Sequence, residues 1–303
     1  MDIFSSLADK LSGAGVELRA NEPLSKHTSF RIGGPVRLMA LPEDPEQAAL
    51  CLRCAAEAGI EPVILGNGSN VLAPDWEFSA FVIKTTGIDD IIADGDSIRA
   101  GGGALLSKTA AAARDASLTG MEFAHGIPGS VGGAVCMNAG AYGGERKDKV
   151  RSVGALDMRG NERRFSADEL DFGYRHSAFS SGGWLITQVE LELRPGDREK
   201  IKAEMDTLSA KRRGSQPLDM PSAGSTFKRP ATGYAAALID QAGLKGLRRG
   251  GAMVSEKHAG FVVNTGSAKC SDVLELMEEI ERRVRERFGV ELEPEVKILG
   301  GER

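Results

Sequence analysis

Residues 126–144 read GIPGSVGGAVCMNAGAYGG, a run too rich in glycine to be an ordinary helix or strand. Glycine lets successive backbone N–H groups turn toward a ligand with no Cβ in the way, and such a nest holds an anion. Two more clusters lie upstream, LGNGSNVL (65–72) and AGGGALLSKT (100–109). Any one of them alone reads as a tight turn. Three together, two of them following apparent strands, point to a dinucleotide whose pyrophosphate is solvated by backbone dipoles. Ser69, Asn70, Ser130 and Asn138 add side-chain donors. The first cluster ends Gly68-Ser69-Asn70-Val71 with Pro74 close behind, which excludes the usual G-x-G-x-x-G helix start. The second has Ser107 where a P-loop needs glycine before its lysine, here Lys108.

Composition bounds the rest. The 38 glycines among 303 residues are about 12.5%, against about 7% on average, with no G-X-Y period and only 12 prolines, so the excess belongs to loops. The formal net charge of -5 gives no cationic field for nucleic acid or membranes, and aromatics at 5% supply few stacking platforms. No apolar run reaches the roughly 18 residues of a membrane span, and the N-terminus lacks a signal-peptide pattern. Four scattered cysteines do not make a disulfide framework, so a reduced cytoplasmic protein is the expectation. Cys51 and Cys54 share the apolar face of an apparent helix and read as core, and the 4 histidines show no ligand spacing, so no metal is expected.

Along the chain, the periodicity predicts a helix within 43–59 ending at Gly59, then a short strand in EPVILG, and further strands in AFVIKTTG and SIRAGGG. A helix follows over Lys108 to Ala116, then period-2 strands in VRSVGALDMRG and WLITQVELELRP, with a turn at Gly160-Asn161. A polar helix after Pro195-Gly196 leads to a loop with Pro217, Pro221 and Pro230. The last helix spans SDVLELMEEIERRVRERFG, with Ser271 as a possible cap, a stripe of Val273, Leu276, Ile280 and Val284, and Gly289 as its stop. The fold class is α+β, with one domain over 1–198, in lobes of about 1–85 and 86–198, and a smaller one over 199–303.

The run GIPGSVGGAV followed by MNAGAYG resembles the UDP-N-acetylenolpyruvoylglucosamine reductase (MurB) family, whose flavin lies in a fold of the vanillyl-alcohol oxidase and p-cresol methylhydroxylase (VAO/PCMH) group. Further matches follow in family order: HTSFRIGG (27–34), LGNGSNVL, YRHSAF (174–179), PSAGSTFKRP (221–230), LIDQAGLKG (238–246), HAGFVVN (258–264) and EPEVKILG (293–300). The short connection after YRHSAF and the form GSTFKRP resemble the type II branch.

The resemblance implies noncovalent FAD, held by Gly66, Asn67, Gly68, Ser69 and Asn70 and by Gly126, Ile127, Pro128, Gly129, Ser130, Val131, Gly132, Gly133 and Ala134. It implies NADPH as electron donor and a UDP-sugar enolpyruvate as substrate, turned over in peptidoglycan precursor synthesis and so in cell-wall biogenesis, cell shape and division. It implies Arg175 and Glu295 at the substrate carboxylate and Ser225 as proton donor, with the site between the two domains. An arginine is always charged and offers a planar donor fork to a carboxylate. A glutamate beside an anion must be protonated to serve, its pKa raised by burial and like charge. Lys228, Arg229, Asn138 and Tyr174 are the expected substrate contacts, although Arg229 stands where the other branch has asparagine. A monomer is expected, with no nucleic acid or membrane partner. Two other readings stay open: another FAD-dependent oxidase or dehydrogenase of the VAO/PCMH superfamily, and a non-enzymatic nucleotide-binding module.

Overall fold

Residues 45–57 begin with a proline whose fixed φ suits a first helical turn, and Asp44 before it accepts the N–H of Gln47 at 2.7 Å. The helix Pro45–Glu57 therefore starts where the sequence places it. It buries Ala48, Ala49, Cys51, Leu52, Cys54 and Ala55, and burial pushes the Cys51 thiol up to about 12. In the computed structural model, which describes residues 2–140 and 149–301, the chain forms two units. One comprises Met1–Ala20, Leu38–Asn67 and Ala80–Lys211; the other comprises Asn21–Arg37, Gly68–Ser79 and Arg212–Arg303. The sequence reading ends the first domain at 198 and assigns the whole N-terminal half to it. In the structure the division falls inside the helix Arg198–Ser215, and two early segments belong to the second unit.

The first unit has two apolar cores. One joins Leu7 and Leu11 of the helix Ile3–Gly13 to the helix Pro45–Glu57 and to Phe81 and Ile83, on the strand Phe78–Lys84. That strand pairs in parallel with Val63–Leu65 in a four-stranded sheet that also contains Pro35–Leu41 and Glu17–Pro23. The other core lies under an antiparallel five-stranded sheet in the order 162–166, 150–157, 184–192, 97–101, 91–94. Ile98, Val153, Val189 and Leu191 of that sheet pack on Leu106, Ala110 and Ala113 of the helix Leu106–Asp115. The second glycine cluster closes this lobe. A Cβ on Gly102 would overlap the Ile186 carbonyl, and the Gly102 N–H donates to Thr187 O at 2.8 Å, at a bulge in the strand Trp184–Glu192. Close backbone packing accounts for this cluster, so its near match to a P-loop carries no phosphate site.

The second unit packs the helix Cys270–Phe288 on the antiparallel strands 248–249, 252–254 and 262–264. Val273, Leu276, Met277, Ile280 and Val284 are buried in its core. The expected stripe is present, but the cap differs from the expected Ser271. Lys269 is the N-cap, Asp272 accepts the Lys269 N–H at 3.0 Å, and Asp75 accepts from Cys270 N at 2.7 Å and Ser271 N at 3.2 Å. Such capping is worth about 1 kcal/mol, and here it comes from a residue 195 positions away, beyond any local reading. Asn264 likewise donates to Phe30 O at 3.1 Å, and Ser29 to Ser222 O at 2.7 Å, tying 27–34 to the C-terminal segment.

Lys84 ends the strand AFVIK inside the first unit, 8% exposed, with its amine donating to Gly66 O at 3.0 Å. Burial, aided by the like charge of Arg19, pulls its pKa from 10.5 down to about 8. From pH 8 upward the folded protein therefore sheds a proton that the unfolded chain keeps to 10.5, and stability rises with pH. The raised thiols of Cys51, Cys54 and Cys270 act in the opposite sense as pH nears and passes 9, because the unfolded chain then loses protons first. Between pH 8 and 9 the urea midpoint of the native protein should accordingly rise relative to that of Lys84→Met, in which only the opposing thiols remain. An equal slope in both proteins would show that Lys84 is not the group titrating.

Candidate functional site

The loop 65–72 carries the chain from the first unit to the second, since Asn67 ends one segment and Gly68 begins the next. Gly66 and Asn67 therefore lie with Gly126 to Ala134, while Gly68, Ser69 and Asn70 lie with the C-terminal segment. Within the first unit, a Cβ on Gly66 would run into the Ser130 hydroxyl, so the first and third glycine clusters meet. Ser130 caps the short helix Val131–Cys136 by accepting the Gly133 N–H at 3.3 Å. Val131 N donates to Ala104 O, Gly132 N to Gly102 O and Ala134 N to Ser130 O, so these amides hold the loop together. Residues 141–144 of the third cluster lie outside the described residues.

Two features of this region suit a phosphate-bearing group. The buried ammonium of Lys84 backs the loop at Gly66, and the Ser130 hydroxyl faces that loop. In addition, His125 Nδ1, just before Gly126, is buried with no hydrogen-bond partner among the described residues. A dinucleotide of the FAD type is compatible with this set: the diphosphate calls for positive charge and donors, and the close-packed glycines let the backbone come near it. Sequence reasoning missed Lys84. The available signal was a lysine ending an otherwise apolar strand at a position that alternation would bury.

In the second unit the strand pattern brings two of the three expected catalytic residues together. Glu295 N donates to Thr226 O at 2.8 Å, Lys228 N donates to Glu293 O at 2.8 Å, and Phe227 bridges Pro294 in antiparallel fashion. Ser225 and Glu295 thus sit on neighbouring extended segments, both half-buried. Asn70 donates its side-chain amide to Glu295 O at 3.0 Å, and its own carbonyl accepts from Lys297 N at 2.9 Å. One N–H of that amide, named above as a donor for an anion, holds the Glu295 backbone. The ammonium of Lys228 is ion-paired with Glu293. The Arg229 guanidinium lies 4.3 Å from the centre of the exposed Tyr234 ring, a cation–π contact.

Arg175 lies in the first unit, half-buried, in the centre of a tight turn beside the exposed Tyr174, its guanidinium 5.3 Å from that ring. Asn138 is 5% exposed and donates to Gly173 O at 2.9 Å, which places it beneath this turn rather than at the surface as an open donor. No group of acidic, cysteine and histidine side chains suited to a metal occurs among the described residues. No helix among them is long and apolar enough to cross a membrane.

Comparison with known proteins accounts for this arrangement. Residues 36–166 match a family described as an FAD binding domain, and residues 216–299 match the UDP-N-acetylenolpyruvoylglucosamine reductase C-terminal domain. The UDP-N-acetylenolpyruvoylglucosamine reductase of Caldanaerobacter subterraneus subsp. tengcongensis is 46% identical over 296 residues, 97% of this chain and 98% of that protein. That of Clostridioides difficile is 46% identical over 300 residues, 99% of this chain and 98% of that one. Among solved structures, UDP-N-acetylenolpyruvylglucosamine reductase from Thermus caldophilus aligns with a TM-score of 0.79 at 37% identity, covering 93% of this chain and 98% of that one. Glucooligosaccharide oxidase from Acremonium strictum, at 15% identity and a TM-score of 0.51 over 95% of this chain and 60% of its own, shares the fold alone. The α+β class read from the periodicity and the flavin-binding fold implied by the resemblance are the fold found. Identity near 46% along almost the full length, with both domain descriptions matched in chain order, makes this chain a member of the UDP-N-acetylenolpyruvoylglucosamine reductase family.

Proposed function

We propose that this protein reduces UDP-N-acetylglucosamine enolpyruvate to UDP-N-acetylmuramate at the expense of NADPH, in the cytoplasm, as a step of peptidoglycan precursor synthesis. The observation that carries the reading is that the segment after Ser225 pairs with the segment carrying Glu295, whose backbone is held by Thr226 on one side and Asn70 on the other. The loops at Gly66 and at Gly126 to Ala134 would hold FAD noncovalently, and that group would supply a hydride drawn from NADPH. The chain's own residues manage the charge and the proton that remain. Addition of hydride to the distal vinyl carbon puts an electron pair on the proximal carbon, delocalised into the adjoining carboxylate. Arg175 binds that carboxylate and gains strength as its charge grows, through charge-assisted N–H donors. Glu295, protonated, donates to the same group. Ser225 gives its proton to the proximal carbon, which completes the saturated ether, and recovers one from solvent. A serine hydroxyl is a weak acid, yet a carbanion-like centre is more basic than an alkoxide, so position decides whether the transfer occurs.

The direct test is anaerobic. NADPH should bleach the flavin of the purified protein, and UDP-N-acetylglucosamine enolpyruvate should restore its colour. Colour that returns only with air would favour an oxidase of the same fold, and flavin that NADPH cannot bleach would favour a plain binding module. Ser225→Ala should keep the bleaching rate and lose about 10²- to 10⁴-fold in the restoring step, the range of a general acid. Restoration at the native rate would remove Ser225 from the chemistry. In the substrate-bound protein, an infrared band of a protonated carboxyl that disappears in Glu295→Gln should be present at neutral pH; a carboxylate band in its place would exclude Glu295 as a donor.

A further inference from the structure

We infer that Asn138 is a positioning residue for Arg175, setting the guanidinium through the turn that carries it; the inference rests on the role given to Arg175 above. The turn is closed by two backbone bonds, Gly173 N to His176 O at 3.0 Å and His176 N to Gly173 O at 3.3 Å. Tyr174 and Arg175 occupy its two central positions, and of these only Arg175 has positive φ, at 52°. That is the pattern of a type II turn, whose second central position favours glycine or asparagine. An arginine there is strained, and such a conformation persists only where its surroundings enforce it.

The enforcing contact at the turn itself comes from Asn138. Its Nδ2 donates to Gly173 O at 2.9 Å, the same carbonyl that receives the His176 N–H. Asn138 is itself left-handed, with φ 40°, and is one of the few nearly buried polar side chains of the protein. Further along, Ser177 Oγ and Ser180 Oγ donate to Cys136 O at 2.8 and 2.9 Å, and Cys136 Sγ reaches Phe179 O at 3.5 Å. The segment 136–138 leaves the end of the helix Val131–Cys136 inside the third glycine cluster, so the Arg175 turn is referenced to that cluster. The serine and thiol contacts hold the turn-rich segment 177–180 that follows. Asn138 reaches the turn itself, which His176 Nε2 and Asp171 Oδ2 also clamp at 3.0 Å, and through Gly173 it sets the backbone that carries the guanidinium.

The clean variant is Asn138→Gly, because glycine accepts the left-handed backbone and loses only the side-chain bond, whereas alanine would add strain of its own. Asn138→Asp keeps the shape but presents an acceptor to the Gly173 carbonyl. In rapid mixing with the flavin-loaded protein, both variants should be reduced by NADPH within about twofold of the native rate. Reoxidation by UDP-N-acetylglucosamine enolpyruvate should slow about 10- to 100-fold, the scale of a small misplacement at a reacting centre. Arg175→Lys should cost less in the Asn138→Gly background than alone, because the two act as one unit. In flavin-free protein labelled with 15N-arginine, the Arg175 Nε–H signal should shift or broaden in Asn138→Gly. Native reoxidation in both Asn138 variants, alongside slow reoxidation in Arg175→Ala, would overturn the positioning role and leave the reading of Arg175 intact. Native reoxidation in Arg175→Ala itself would overturn that reading and this inference together.

Discussion

The second unit depends on one hydrogen bond above the others, from the Asn70 amide to the Glu295 carbonyl. It joins residues 225 positions apart and is followed by parallel pairing of 71–72 with 297–298. Closing so long a loop is entropically expensive, but the cost grows only slowly with length, and a buried cluster that includes Leu72, Val296 and Ile280 offsets it. Glu295 consequently owes its place to three separate pieces of chain: its own strand, the residues after Ser225, and a loop from the first quarter of the sequence.

Backbone closeness performs the corresponding task in the first unit. The carbonyls of Ile186 and Ser130's hydroxyl occupy the space where a side chain on Gly102 or Gly66 would begin. The glycine clusters thus pack against strands and against each other before they meet any ligand. Lys84 adds a desolvated cation behind the first loop, a costly placement that makes sense beside a negatively charged group. Stability is given up there in exchange for a positive field that no surface lysine could hold so rigidly.

Arg175 shows the same exchange in the backbone. A left-handed arginine in a turn suited to glycine signals that the side chain matters more than the local energy. The contacts around Cys136 and Asn138 supply the restraint, and they come from within the third glycine cluster. The Arg175 turn and the third glycine cluster, well apart in sequence, are in this way joined by side-chain hydrogen bonds.

Much of this was legible in the residues themselves. Helices such as Pro45–Glu57 and Cys270–Phe288 announce themselves by periodicity and end signals, because those are local properties of the chain. The three glycine clusters, the α+β class and the motifs carrying Arg175, Ser225 and Glu295 were visible for the same reason. The rest was decided in three dimensions. That 21–37 and 68–79 join the C-terminal segment, that Asp75 rather than Ser271 caps the last helix, that Asn70 serves Glu295, and that Asn138 lies under the Arg175 turn all follow from contacts between distant residues. A hydrogen-bond donor reads identically in sequence whether it faces a ligand or a carbonyl two hundred residues away, and only the folded chain brings one of those acceptors within 3 Å.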